Sequence, residues 1–216
     1  MPALLDRARD AIAPLLCAPG GGRVMVGIAG PPGAGKSTVA EALAARFTAE
    51  LEPRYGRGAA VVVPMDGFHL SNVELERLGL ADRKGAPETF DAAGYVHLLR
   101  RLRAADELVY APTYSRTLHE SIGGVIPVPP AVRLVVTEGN YLLLPQHPWS
   151  GVRSVLDLVL YLDVPDSARL PGLLRRQRAR GLDEAAARDW VERSDEANAR
   201  LVATTRLYAD VVLARG

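Results

Sequence analysis

Gly30-Pro31-Pro32-Gly33-Ala34-Gly35-Lys36-Ser37 is the stretch on which the reading of this chain turns. It satisfies G-x-x-x-x-G-K-[ST] in full. Ahead of it, Val24 to Ala29 form a continuous apolar run that predicts a buried strand; behind it, Val39, Leu43 and Phe47 recur at helical spacing. A strand, a glycine-rich loop and a helix in that order form the setting in which backbone N–H groups wrap a chain of phosphates. Glycines without Cβ let consecutive amides turn inward, and the helix N-terminus adds its partial positive charge. Lys36 reaches the outer phosphates and Ser37 can ligate Mg²⁺. Thr38, next along, joins Gly30 to Ser37 in the predicted nucleotide-binding set. A purely structural turn could use Gly30, Gly33 and Gly35 but has no need of Lys36 or Ser37.

Further apolar runs at Ala60–Pro64, Leu134–Thr137, Leu158–Leu162 and Val211–Leu213, with helical segments between most of them, predict an α/β fold. Its sheet is parallel with helices on both faces, because near-continuous Val and Leu runs suit strands covered on both sides. One domain over 1–216 is expected, with a flap hairpin at about 108–128, where β-prone pieces are broken by Pro112, Gly123, Gly124 and Pro127, and a lid at about 170–185. Leu4, Leu5, Ala8, Ala11 and Ile12 predict a short amphipathic N-terminal helix. Trp190, Ser194, Ala197, Leu201, Thr204 and Tyr208 predict one face of a long surface helix over Glu184–Tyr208, with the pairs Arg188–Glu192 and Glu196–Arg200 along its solvated side.

Ligands of such a sheet collect beyond the carboxyl ends of its strands. Asp66 emerges there from the second strand, positioned to take the proton of an attacking hydroxyl or to hold a metal through water; Glu138 ends the third apolar run, where a carboxylate would stand near Mg²⁺. In the basic segment Arg175–Gly181, Arg176 and Arg180 are four residues apart and share a helical face, so both could close over phosphates, and Arg176 is the predicted transition-state cation. Cations are almost all arginine, with lysine only at Lys36 and Lys84, and a compact ammonium is kept where a point charge is wanted. His69, Asn140 and Tyr141 are candidate acceptor contacts by position.

A net charge of +1 gives no field that would select nucleic acid, and no segment has the length and apolarity of a membrane span. Cys17 is the sole cysteine, which leaves no intrachain disulfide or cysteine metal site and fits a cytoplasmic setting. A homodimer is compatible with all of this.

The phosphate loop, the Asp66 segment, the flap Ala111-Pro-Thr-Tyr114-Ser-Arg-Thr-Leu-His119, the Glu138-Gly139 strand end, the Arg-rich lid and Thr205–Val212 together resemble the uridine kinase, phosphoribulokinase and bacterial pantothenate kinase group. The likeness runs from about Val24 to the C-terminus. It implies a P-loop NTPase fold of nucleoside monophosphate kinase type, ATP and Mg²⁺ as cofactors, and Asp66 as general base. Tyr114 and His119 match the tyrosine and histidine with which uridine-cytidine kinases contact the pyrimidine. Arg83 to Asp91 looks more like pantothenate kinase, with Arg83 counted among the acceptor contacts, and Gly85 stands where a uridine kinase carries its ribose-holding aspartate. The segments Pro64–Asn72, Arg83–Asp91 and Glu138–Leu144 are most similar to a bacterial branch described as nucleoside or nucleotide kinase-like, or as fructose transport system kinases.

The expectation is a kinase that moves the γ-phosphoryl group of Mg-ATP to a hydroxyl of a small molecule. The acceptor expected is a nucleoside, with a pantothenate-like or fructose-like acceptor as the alternative. A regulatory nucleotide-binding module without turnover is the remote alternative; a guanine-reading Asn-Lys-x-Asp element is absent from the sequence.

Overall fold

The structure is a computed structural model that describes residues 1–18 and 21–215. Among the described residues seven strands form two sheets: β1 Val24–Ala29, β2 Ala60–Pro64, β3 Val109–Ser115, β4 Glu120–Val128, β5 Leu134–Gly139, β6 Leu158–Asp163 and β7 Val211–Ala214. The main sheet is parallel throughout, in the order β2-β5-β1-β6-β7. Its helices are α1 Pro2–Cys17, α2 Lys36–Tyr55, α3 Asn72–Leu78, α4 Ala92–Ala104, α5 Ser150–Arg153, α6 Asp166–Ala179, α7 Glu184–Trp190 and α8 Glu196–Ala203.

Both faces of the sheet are covered, which explains the unbroken apolar run of β1. Val24, Val26 and Ile28 point into a core shared with Leu4, Ala8 and Ile12 of α1 and Val39, Leu43 and Phe47 of α2. Met25 and Ala29 point the other way, into a core with Tyr95, Leu99 and Leu102 of α4. Alternation is present, but each side is apolar because each side is buried. β1 lies between β5 and β6, so the connections out of the central strands diverge and leave a crevice at their carboxyl ends. Register carries Glu138 into that crevice, since it sits beside Ile28 of β1 on one side and Pro64 of β2 on the other.

The predicted flap is an antiparallel hairpin of β3 and β4, turning at 116–119 with His119 at φ 54°. It is docked on the strand end that carries Asp66: a Cβ on Gly67 would lie 2.5 Å from Pro112 O, so only glycine fits beneath the hairpin.

The long helix expected over Glu184–Tyr208 is not continuous. α7 and α8 are joined by a π-helical turn at Val191–Asp195, and a 3₁₀ turn follows at Arg206–Tyr208. The buried stripe is Ala187, Val191, Asn198, Val202 and Thr205, one residue round from the predicted face; Tyr208 is exposed, and Trp190 and Leu201 are only half-buried. The expected face turned Trp190 and Tyr208 inward, whereas the helix buries an alanine, two valines, Asn198 and Thr205, the two polar side chains donating to Gly85 O and Val202 O. The ion pairs differ as well. Arg188 pairs with Glu184 and Glu196 with Arg169.

Candidate active site

The phosphate loop leaves β1 at Gly30 and enters α2 at Lys36. Gly30, Gly33 and Gly35 have φ of 152°, 80° and 84°, conformations open to glycine. Gly33 has a second reason to lack a side chain, since its Cβ would meet Leu173 Cγ at 2.9 Å and Arg169 O at 3.2 Å. The loop is therefore seated directly on α6.

Lys36 is 8% exposed, and its Nζ donates to Gly30 O at 2.9 Å, Pro31 O at 3.0 Å and Asn140 Oδ1 at 2.7 Å. Burial pushes the ammonium below its ordinary value, and the nearby charges of Glu138 and Asp66 oppose that shift. Ser37 Oγ donates to Glu138 Oε1 at 2.9 Å. Glu138 is 5% exposed, and burial followed by repulsion from Asp66 pushes its carboxyl up to about 7, against the pull of Lys36 and the Ser37 hydrogen bond. Asp66 occupies a 3₁₀ turn, Met65–Phe68, just past β2. His69 Nδ1–H donates to Asp66 O at 2.7 Å, and the His69 ring packs against Phe90 at 4.0 Å and Tyr114 at 4.6 Å between centroids.

These groups border one cavity of about 680 Å³, roofed by Arg176 and Arg180 of the lid and walled by Tyr114 and His119 of the flap. Its size is in the range of a small-molecule site. Pro32, Gly33, Gly35, Ser37, Thr38, Asp66, His69, Glu138 and Asn140 also border it, as predicted from position. Gly30, Pro31 and Ala34 do not; they lie behind the loop, where Gly30 and Pro31 hold the lysine through their carbonyls. Two expected acceptor contacts are elsewhere. Arg83 is exposed and pairs with Glu88 at 2.5 Å, and Tyr141 is fully buried with its hydroxyl donating to Gly85 O at 2.5 Å, so it braces the wall from behind. Reasoning from sequence missed Lys84, Arg116, Asp195 and Asn198. For Lys84 the signal was its rarity. Asp195 and Asn198 are brought in by the π turn, which nothing in the local sequence announces, although such turns recur at functional sites.

The arrangement suits a magnesium nucleotide. Mg²⁺ takes most of its ligands from water and phosphate, needing one or two protein oxygens. Ser37 and Glu138 supply such a pair, and among the described residues no cluster of three His, Cys, Asp or Glu side chains is close enough to form a dedicated metal cage.

Comparison with known proteins gives the family and the fold. Residues 25–216 match the sequence model of the Phosphoribulokinase / Uridine kinase family. The chain belongs to that family. A Schizosaccharomyces pombe protein provisionally described as a uridine kinase is 34% identical over 198 residues, covering 88% of this chain and 83% of its own. Bacillus velezensis pantothenate kinase is 32% identical over 76% of this chain, and the chain spans 52% of that enzyme's length. Among solved structures, a protein from Silicibacter sp. TM1040, provisionally described as a fructose transport system kinase, superposes with TM-score 0.85 at 38% identity over 97% of this chain and 98% of its own. Phosphoribulokinase from Rhodobacter spheroides shares the fold, with TM-score 0.59 at 15% identity over 89% of this chain and 70% of that one. The fold is that of a P-loop kinase, and the protein is a kinase of this family. No described helix is long and apolar enough to cross a membrane.

Proposed function

We propose that this kinase transfers the γ-phosphoryl group of Mg-ATP to a hydroxyl of a small-molecule acceptor. The observation that carries the reading is the meeting of Lys36, Ser37, Glu138 and Asp66 around one cavity at the carboxyl end of β1, β2 and β5. Lys36 would exchange the Asn140 amide oxygen for oxygens of the outer phosphates, gaining a charged partner for a buried ammonium. Ser37 and Glu138 would hold Mg²⁺, which supplies neutralisation of charge on the phosphate oxygens. Asp66 would accept the proton of the acceptor hydroxyl, and Arg176, whose field reaches Lys36, His69 and Asp195, would cover the transferring group. In such chemistry positioning and charge stabilisation do most of the work.

The nucleoside reading is supported by Tyr114 and His119 on the flap and by the description of the S. pombe relative. A second reading, a pantothenate-like or sugar acceptor, is favoured by the ring faces. His69 packs at a tilt against both Tyr114 and Phe90, so part of the surface that each ring could offer to a base is already in contact. An ADP-release screen with uridine, cytidine, pantothenate and fructose tests both. Acceptor-dependent turnover should fall on the order of 10²-fold or more in Lys36→Ala. A folded Lys36→Ala protein that keeps near wild-type turnover would sink the proposal.

A further inference from the structure

Six cationic side chains line the cavity, Lys36, Lys84, Arg116, Arg175, Arg176 and Arg180, against three carboxylates, Asp66, Glu138 and Asp195. Among the described residues, none of the six has a carboxylate oxygen within 4.0 Å. Arg169 and Arg178, also on α6 but outside the lining, are paired with Glu196 at 2.5 Å and Glu184 at 3.5 Å. Along α6, then, the arginines without a carboxylate partner are those that line the cavity, Arg175 and Arg176.

Most of that excess is what a triphosphate calls for. Lys36 belongs to the phosphate loop, and Arg175 and Arg176 ride on the helix seated over Gly33. Lys84 has no such connection. It stands by the flap, where Nζ donates to Asn72 Oδ1 at 2.5 Å and His119 O at 2.7 Å and lies 5.5 Å from the Tyr114 ring centroid. An ammonium has three N–H bonds, and these two neutral oxygens account for two of them. Glu120, whose charge reaches Lys84, gives its Oε1 to the Asn72 N–H at 3.0 Å. Arg180 adds a second positive charge that is felt at both Lys84 and His119. It is held in place by the Trp190 ring at 5.4 Å and by Gln177 Oε1 at 3.0 Å. Two like charges brought together beside a cavity repel unless an anion lies between them. If Lys84 only tied the flap to its neighbour, a neutral amide would serve, without the cost of partly desolvating a charge.

We propose that the acceptor, whatever its scaffold, carries an anionic group of its own, a carboxylate or a phosphate monoester, seated between Lys84 and Arg180. The inference rests on the phosphoryl-transfer reading above and narrows its substrate class. The acceptor hydroxyl would point to Asp66 and the anion to Lys84, so that charge fixes which hydroxyl is presented.

The test fills the phosphate loop with saturating Mg-ADP and then titrates inorganic phosphate or malonate by calorimetry, the two anions standing for the two sources of charge. Wild type should bind at least one of them. Lys84→Met, which keeps the stem and removes the charge, should weaken that binding at least roughly tenfold, and Lys84→Arg should restore it to within a few-fold. Equal binding by wild type and Lys84→Met would mean that the anion sits where the γ-phosphate goes, and would overturn the proposal; so would no anion binding by a protein that holds Mg-ADP. In the ADP-release assay, pantothenate and glycerate, or fructose 6-phosphate, should exceed fructose and uridine in kcat/KM. Preference for a neutral acceptor overturns the anionic site and leaves the kinase reading standing. Failure to bind Mg-ADP at all would remove that underlying reading, and this proposal with it.

Discussion

Replacing Glu138 by glutamine should abolish catalysis and at the same time stabilise the protein at alkaline pH. Glu138 is 5% exposed, and its carboxyl is pushed from 4.5 up to about 7 by burial and by Asp66. A carboxyl whose folded-state pKa is raised binds its proton more tightly in the native than in the unfolded chain, so stability is fully present below about 4.5 and is lost as pH rises through about 7. By pH 8 the native state carries a buried carboxylate at a cost of about 3 kcal/mol. Glu138→Gln keeps the shape, can still accept from Ser37, and has nothing to ionise. The gain is a ceiling, because Lys36 loses an attracting charge, although Gly30 O, Pro31 O and Asn140 Oδ1 remain to hold it. Denaturant melts of both proteins at pH 5 and pH 8 without nucleotide should show the variant gaining on wild type by about 2 to 3 kcal/mol across that interval, or several degrees in Tm. A difference that does not change with pH would mean that Glu138 is ionised throughout, with Lys36 outweighing burial, and the electrostatic account of the site would be wrong.

Asp66→Asn should bind Mg-ATP within a few-fold of wild type by calorimetry but transfer phosphate at least roughly a hundred times more slowly; turnover close to wild type would make Asp66 a turn residue. Tyr114→Ala should raise the KM of the acceptor and leave that of ATP nearly unchanged, and equal effects on both would move Tyr114 from the acceptor wall to the structural support of the flap. Gly67→Ala forces a methyl into Pro112 O and should cost about 1 to 3 kcal/mol in denaturant melts together with a loss of kcat, since the turn it displaces carries Asp66; a fully stable, fully active variant would show that the flap gives way easily.

The parts of the molecule legible in the sequence were those set by local rules. The loop, its strand and its helix follow from a fixed spacing of glycines and apolar residues, and Asp66 and Glu138 are found at strand ends because a parallel sheet sends every such end the same way. What was not legible depends on contacts between distant segments. Tyr141 follows Glu138 closely enough to suggest a pocket residue, yet its ring is drawn into the aromatic cluster of Phe90 and Trp149. Arg83 has a local partner in Glu88 that satisfies it away from the cavity. The rotated face of α7 and α8 reflects a π turn and a buried Asn198, which donates to Gly85 O at 3.3 Å; neither is encoded in apolar periodicity.

The absence of a side chain at Gly33 has a mechanical consequence. With Leu173 and Arg169 pressed against that glycine, and Arg169 also tied to Asp166 at 2.7 Å and Glu196 at 2.5 Å, the root of α6 shares one footing with the phosphate loop and with α8. Any swing over a bound nucleotide would then leave that root in place and fall to the arginine-bearing end, Leu174 through the left-handed Gly181, working against its ties to Asp195, Glu184 and Trp190. Small moving mass favours rapid capture and release, and it makes the grip on the nucleotide separable from the covering of the transferred group. Hydrogen exchange with and without Mg-ADP should therefore change little at Ala168 to Leu173 and slow at Arg175 to Gly181; slowing spread evenly along α6 would show the whole helix closing as one piece.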